Sequence, residues 1–293
     1  MTGLATPEPD ARAWHPPSDE ALDQHLRRFA AQPPSPWQRR APLVALVGLV
    51  VLSLLAGGPG AWLLPWLGFL GLIFIGGRRI RRLRALERRL AAAQELATLR
   101  NHRLALRQAW TLVEDTQMHP PLQHGAVVIL VQCLDEVGGH DAAIVAYDRL
   151  LQDLPAEHPG GAYLRSHRAI AALHTDRLND ADETLRRLRG VVEESPGSPT
   201  EAAYRFARLF QAVRTAHYAE GIAESPNLLQ TLRPLGIDAG YGHALRSFCH
   251  RQRNDPQEND AEQAEVWWRR ATTLISPDLL VRRFPEMRGL GRD

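Results

Sequence analysis

Residues 133–155 read CLDEVGGHDAAIVAYDRLLQDLP. Gly138 and Gly139 break the stretch and Pro155 closes it. Glycine and proline are the strongest punctuation in a helical sequence. Ala143, Tyr147 and Leu150 recur at steps of four and three residues, the spacing of one helix face. Upstream, the run Val127–Val131 is β-branched like a strand. It continues through Cys133, Leu134 and Val137, however, as a buried helix does. The stretch therefore predicts two helices joined by a glycine turn.

The same pattern extends along the chain. Ala169, Ala172 and Leu173 line one helix, Ala181, Leu185 and Leu188 line the next, and Pro196 follows. Residues 201–217 make an amphipathic helix with Ala203, Phe206, Ala207, Phe210 and Val213 on one face. Its partner is expected at residues 225–232. A last pair is expected at 241–251 and 262–275, with Ala264, Trp268 and Ala271 facing inward and Pro277 after it. No alternating strand pattern with hairpin turns appears, so the predicted class is all-α. Helix pairs that cannot bury their faces alone must stack.

Residues 133–155 resemble the heart of a tetratricopeptide repeat. In that family an antiparallel helix pair packs through small residues at the crossing, and a proline closes the unit. The resemblance makes Gly138 and Gly139 the turn, Ala143 the small residue at the crossing and Tyr147 the aromatic one turn later. Ala181 is the counterpart of Ala143, 38 residues on. The similarity covers roughly residues 121–277 and departs from the family in the first helix, where Val127 replaces the usual aromatic. It implies an α-solenoid with a concave surface that takes a peptide, a helix or another domain.

A second feature decides the expected location. From Ala41 to Gly77 there are thirty-seven residues without a charge, broken by Gly57, Gly58, Pro59 and Gly60. Thirty-seven residues suit two short spans better than one, since a spanning helix needs about 20 apolar residues. The expectation is a transmembrane hairpin, residues 42–56 out and 61–75 back. Arg39 and Arg40 precede it, and Arg78, Arg79, Arg81 and Arg82 follow it. By the positive-inside rule both termini are then cytoplasmic. A two-span protein of a bacterial inner membrane follows, with these six arginines at the lipid surface.

Four segments result. Residues 1–40 form a polar tail with a short helix capped by Ser18, and residues 41–77 the hairpin. Residues 78–118 form a basic linker helix, and residues 119–293 the repeat domain. All 35 basic residues are arginine. Residues 1–97 hold twelve arginines against seven acids, whereas residues 98–293 hold 23 against 26. Basic charge beside the apolar run suits anionic headgroups. A mildly acidic remainder argues against a nucleic-acid partner. Cys133 and Cys249, the only cysteines, make no CxxC pair and sit in apolar helical patterns as small buried hydrophobes.

No catalytic, cofactor or metal motif is found. HExxH and GxSxG are missing, and the glycine-rich stretch 236–242 lacks the GK[ST] ending of a phosphate loop. His167 and His174, like His243 and His250, are seven residues apart, too far for a local chelate. The expected function is therefore a membrane-anchored protein-interaction or scaffold module. Its partner is a protein or peptide, or a second copy of the chain. The alternatives are an enzyme whose site is assembled only in three dimensions, and a purely structural oligomerising protein. Trp267 and Arg270 are the candidate partner-binding residues. Adjacent tryptophans lie about 100° apart on a helix, so Trp268 is assigned to the core and Trp267 to an exposed edge.

Overall fold

The computed structural model describes residues 18–30, 63–115, 120–152, 154, 159–224 and 226–288. Among these residues every regular element is helical, so the all-α class holds. The elements are α1 (Asp19–Ala30), α2 (Leu63–Thr98), α3 (His102–Val113), α4 (Pro120–Val137) and α5 (His140–Gln152). They continue with α6 (Pro159–His174), α7 (Leu178–Glu193), α8 (Pro199–Arg214), α9 (Tyr218–Ala223) and α10 (Leu228–Thr231). The last three are α11 (Ala239–Arg253), α12 (Asp260–Leu274) and α13 (Pro277–Arg283). Short 3-10 turns cover Arg233–Asp238, Pro256–Glu258 and Pro285–Met287. The chain divides into two compact units, Met1–Cys133 and Leu134–Asp293.

One turn joins successive helices, and it recurs. Arg100, Gly138, Asp176 and Ala216 have φ of 59°, 89°, 59° and 59°. Each is followed by a residue whose N–H reaches back five positions: Asn101 to Leu96, Gly139 to Leu134, Arg177 to Ala172 and His217 to Ala212, at 2.8–2.9 Å. This left-handed ending satisfies a carbonyl that the helix terminus would leave unpaired. Five residues after each positive-φ position stands a small buried residue: Ala105, Ala143, Ala181 and Gly221. Size matters at that place. A Cβ at Gly221 would stand 2.9 Å from the Ala212 Cβ and 3.2 Å from the Cys249 Sγ. The last pair, α11 and α12, is joined instead by a longer loop. There Asn254 and Asn259 take the left-handed conformation that asparagine tolerates.

The positions 100, 138, 176 and 216 are 38, 38 and 40 residues apart, so the repeat begins one pair earlier than the sequence suggested. Within the first unit α2 and α3 pack side by side, burying Leu86, Ala93 and Leu106. Arg82 pairs with Asp115 at 3.2 Å and Arg89 donates to Thr111 at 3.1 Å. Ser18 caps α1 by accepting the N–H of Ala21, and α1 docks through His25, edge-on to Trp110 at 5.3 Å. Within the second unit each second helix packs on the next first helix: α5 on α6, α7 on α8, α9 on α11. The first helices α6, α8 and α11 also touch in succession. The expected third partner at 225–232 is replaced by α9, six residues long.

The transmembrane expectation is corrected. Among the described residues no helix is long and apolar enough to cross a membrane. The uncharged part of α2 is Leu63–Gly77, fifteen residues. That is about 22 Å of helix, against about 30 Å of hydrocarbon. Arg78 and Arg79 follow without a break, and the same helix continues to Thr98. A two-span inner-membrane protein with both termini cytoplasmic is therefore not supported. The expected outward span 42–56, its turn, Arg39, Arg40 and the tail 1–17 lie outside the described residues.

Candidate functional site

The most unusual chemistry in the second unit lies along its first helices. The last turn of α4 presents Asp135 and Glu136, and the glycine turn then sets His140 at the start of α5. The Asp135 carboxylate is buried and meets the His140 Nδ1 at 2.9 Å. His140 stacks on His174, at the end of α6, with ring centroids 4.2 Å apart and planes 8° apart. Phe206, Phe210 and Arg214 come from α8, and Tyr241 from α11.

Across these residues lies the C-terminal segment. Arg283 donates to Asp135 Oδ2 at 3.0 Å and lies 2.7 Å from Glu136 Oε1, although 148 residues separate it from Asp135. Its guanidinium carbon stands 5.0 Å from the centre of the Tyr241 ring. Phe284 is buried flat against His174 at 5.5 Å and edge-on to Phe210 at 5.0 Å and Tyr241 at 5.8 Å. Glu286 pairs with Arg214, which also holds Asp176 in the turn before α7. Four first helices thus touch one stretch of four residues, 283–286, where a helix end passes into a 3-10 turn.

The electrostatics follow from burial and from this cation. Burial disfavours the Asp135 carboxylate, but Arg283 and His140 overcome it and hold it well below the usual carboxylate range. Burial likewise opposes the Arg283 charge, and Asp135 and Glu136 more than offset that. His174 is pushed down to about 3 by burial and by the adjacent His140, with Asp135 opposing. Below it, Tyr147 is raised by burial and by Asp135, and burial lowers His167. The Nε2 atoms of His167 and His174 and the Nε of Arg283 are buried without a hydrogen-bond partner. The arrangement accepts one cation and one aromatic ring side by side. The Asp135–His140 pair resembles an acid–base dyad, but Arg283 neutralises the carboxylate and fills the space beside it.

The sequence-derived candidates lie elsewhere. Trp267 is 7% exposed, not an exposed edge. Arg246 of α11 and Arg270 stand 5.6 and 4.9 Å from its ring centre, and His243 packs at 5.4 Å. Both guanidinium groups thus lie over the indole, and Arg246 is itself buried. Trp268 is buried as expected, as are both cysteines, which are free. Arg78, Arg79, Arg81 and Arg82 are exposed along α2. Beside them Trp66, Leu70, Ile73 and Phe74 form an exposed apolar stripe. A cavity of about 280 Å³ between α7 and α8 is lined by Arg186, Arg189, Arg205 and Arg208, with Glu193 and Glu224 among them. Three of these arginines are paired there, Arg205 and Arg208 with Glu224 at 2.6 and 3.8 Å and Arg189 with Glu193 at 3.1 Å.

Asp135 and Arg283 were not singled out from sequence, and His174 was considered only with His167, as a pair too far apart to chelate. One signal was present: the acids Asp135 and Glu136 interrupt an apolar helix next to its turn. Compared with family models, curated proteins and solved structures, the chain matches none.

Proposed function

We propose that the chain is a protein-interaction module built from tetratricopeptide-like helix pairs, with its binding site on the row of first helices. The observation behind this reading is the convergence of Asp135, His174, Phe210 and Tyr241, from four successive pairs, on the single short segment 283–284. Stacked helix pairs offer such extended surfaces, and peptides are their natural ligands. A photo-crosslinking residue at Arg282, exposed beside the row, should capture a defined partner in cells. The same residue at Arg187, on the exposed face of α7, should not. Identical adducts at both positions, or none at Arg282, would argue against the reading.

A second contact is proposed with anionic lipid. It is supported by the stripe Trp66, Leu70, Ile73 and Phe74 and by the arginine band that follows on the same helix. Each arginine close to an anionic surface contributes about 1 kcal/mol. The chain should sediment with vesicles containing phosphatidylserine and much less with phosphatidylcholine alone. Equal binding to both, or none, would remove this part of the proposal.

A further inference from the structure

We infer that the row of first helices receives peptides in which an arginine is followed at once by an aromatic residue and, two positions on, by an acid. Residues 283–286 of the chain itself are the resident competitor. The inference rests on the interaction-module reading and names its ligand.

The occupied site shows what it reads. Arg283 is 12% exposed and meets two carboxylates and the face of Tyr241. Phe284 is enclosed by the rings of His174, Phe210 and Tyr241, and Glu286 meets Arg214. A segment that only capped the stack would need apolar contact with the last pair. This one crosses to Asp135, at the first pair of the unit. A buried ion pair is often no better for stability than apolar residues of the same volume. What it adds is discrimination. An apolar or acidic residue in place of Arg283 would take away the cation that faces Asp135 and Glu136, and a site rejects most strongly what leaves its buried charges unmatched. The segment also buries Leu280, Phe284 and Met287 against the row. It follows α12 through Ser276, and its own helix, α13, has seven residues.

The test uses the full chain and a fluorescent peptide with the sequence of residues 277–288. Fluorescence anisotropy should show the peptide binding the variant Arg283→Ala/Phe284→Ala at least about tenfold more tightly than the unaltered chain. A resident competitor lowers apparent affinity by the fraction of time the site is open. Adding Asp135→Asn to that variant should abolish binding, and a peptide carrying alanine at both positions should not bind. No binding of the native-sequence peptide to a folded double variant overturns the inference. Hydrogen exchange on the unaltered chain gives an answer that does not depend on any variant folding. Amides of residues 279–288 should open at least about a hundredfold more often than those of α6 and α8, as a separable segment does. Exchange in step with α6 and α8 would make the segment a fixed part of the core and overturn the inference. Peptide binding without any cellular partner crosslinked at Arg282 would leave this inference standing and defeat the wider functional reading.

Discussion

Arg283 is the cation that pairs with both Asp135 and Glu136. Without it two carboxylates, one fully buried, lose their counter-charge. Removing one partner of a buried pair typically costs about 3–5 kcal/mol. Arg283→Met should therefore destabilise the chain by that order in urea unfolding, and Arg283→Met/Asp135→Asn should recover part of the loss. The histidines set the acid limit. His174 and His243 are pushed down to about 3 and about 4, burial being the largest cause in both. In the unfolded chain they take up protons near pH 6.5. From pH 6.5 down to about 4 the unfolded state then binds more protons, and stability falls as the pH falls. At pH 5 each histidine accounts for roughly 2 kcal/mol of that loss. Both ring nitrogens of His243 are buried without a hydrogen-bond partner. His243→Leu should thus match the parent at pH 7 and lose markedly less stability at pH 5. A variant with an unchanged pH slope would show that His243 protonates freely in the folded chain. None of these roles is visible in the sequence. Arg283 sits in a plain VRRF string, and its partner is 148 residues away, beyond the reach of any periodicity.

Helix pairing, in contrast, was legible. The 38-residue step from Ala143 to Ala181 and the helical spacing of Tyr147, Leu150, Leu185 and Leu188 correspond to buried positions. Reading failed at both ends of the series. Residues 78–118 were expected as a basic linker helix outside the repeat domain, yet Leu86 and Ala93 are buried and Asn101 repeats the turn of Gly139. After α8 the partner was sought at 225–232, because the six-residue α9 is too short to show a period. What marks α9 is the close approach at Gly221. Gly221→Ala should cost about 1–3 kcal/mol by overpacking. Gly190→Ala, on an open face of α7 with nothing within 4 Å, should stabilise by about 0.5–1 kcal/mol. The turn makes its own prediction. Ala216 holds a left-handed conformation that costs an L-residue roughly 1–2 kcal/mol and glycine little. Ala216→Gly should raise the unfolding midpoint; a lower midpoint would mean the turn residue matters through its side chain.

At the scale of the whole molecule the pairing shifts where the chain can be cut. A fragment starting at residue 98 loses α2 and strips the face of α3 that carries Leu106. A fragment of residues 78–293 should therefore melt higher than one of residues 98–293, by circular dichroism. Equal melting temperatures would detach α2 from the fold. The apolar run 41–77 was the loudest signal in the sequence and the least informative about architecture. Among the described residues no helix is long and apolar enough to cross a membrane, and arginines follow directly on the uncharged part of α2. The C-terminal segment has a further consequence, for how the chain folds. Repeats that touch only their neighbours unfold piecemeal and fold from any point. A clasp from residue 283 to residue 135 turns such a row into a closed circuit, raising its contact order and slowing its completion. Arg283 is synthesised 148 residues after Asp135, and domains begin to fold from the N-terminal side during synthesis. Until Arg283 emerges, the carboxylates of Asp135 and Glu136 stand without their arginine. During synthesis this surface therefore stands uncovered, and once residues 283–286 are made the chain covers it with its own side chains.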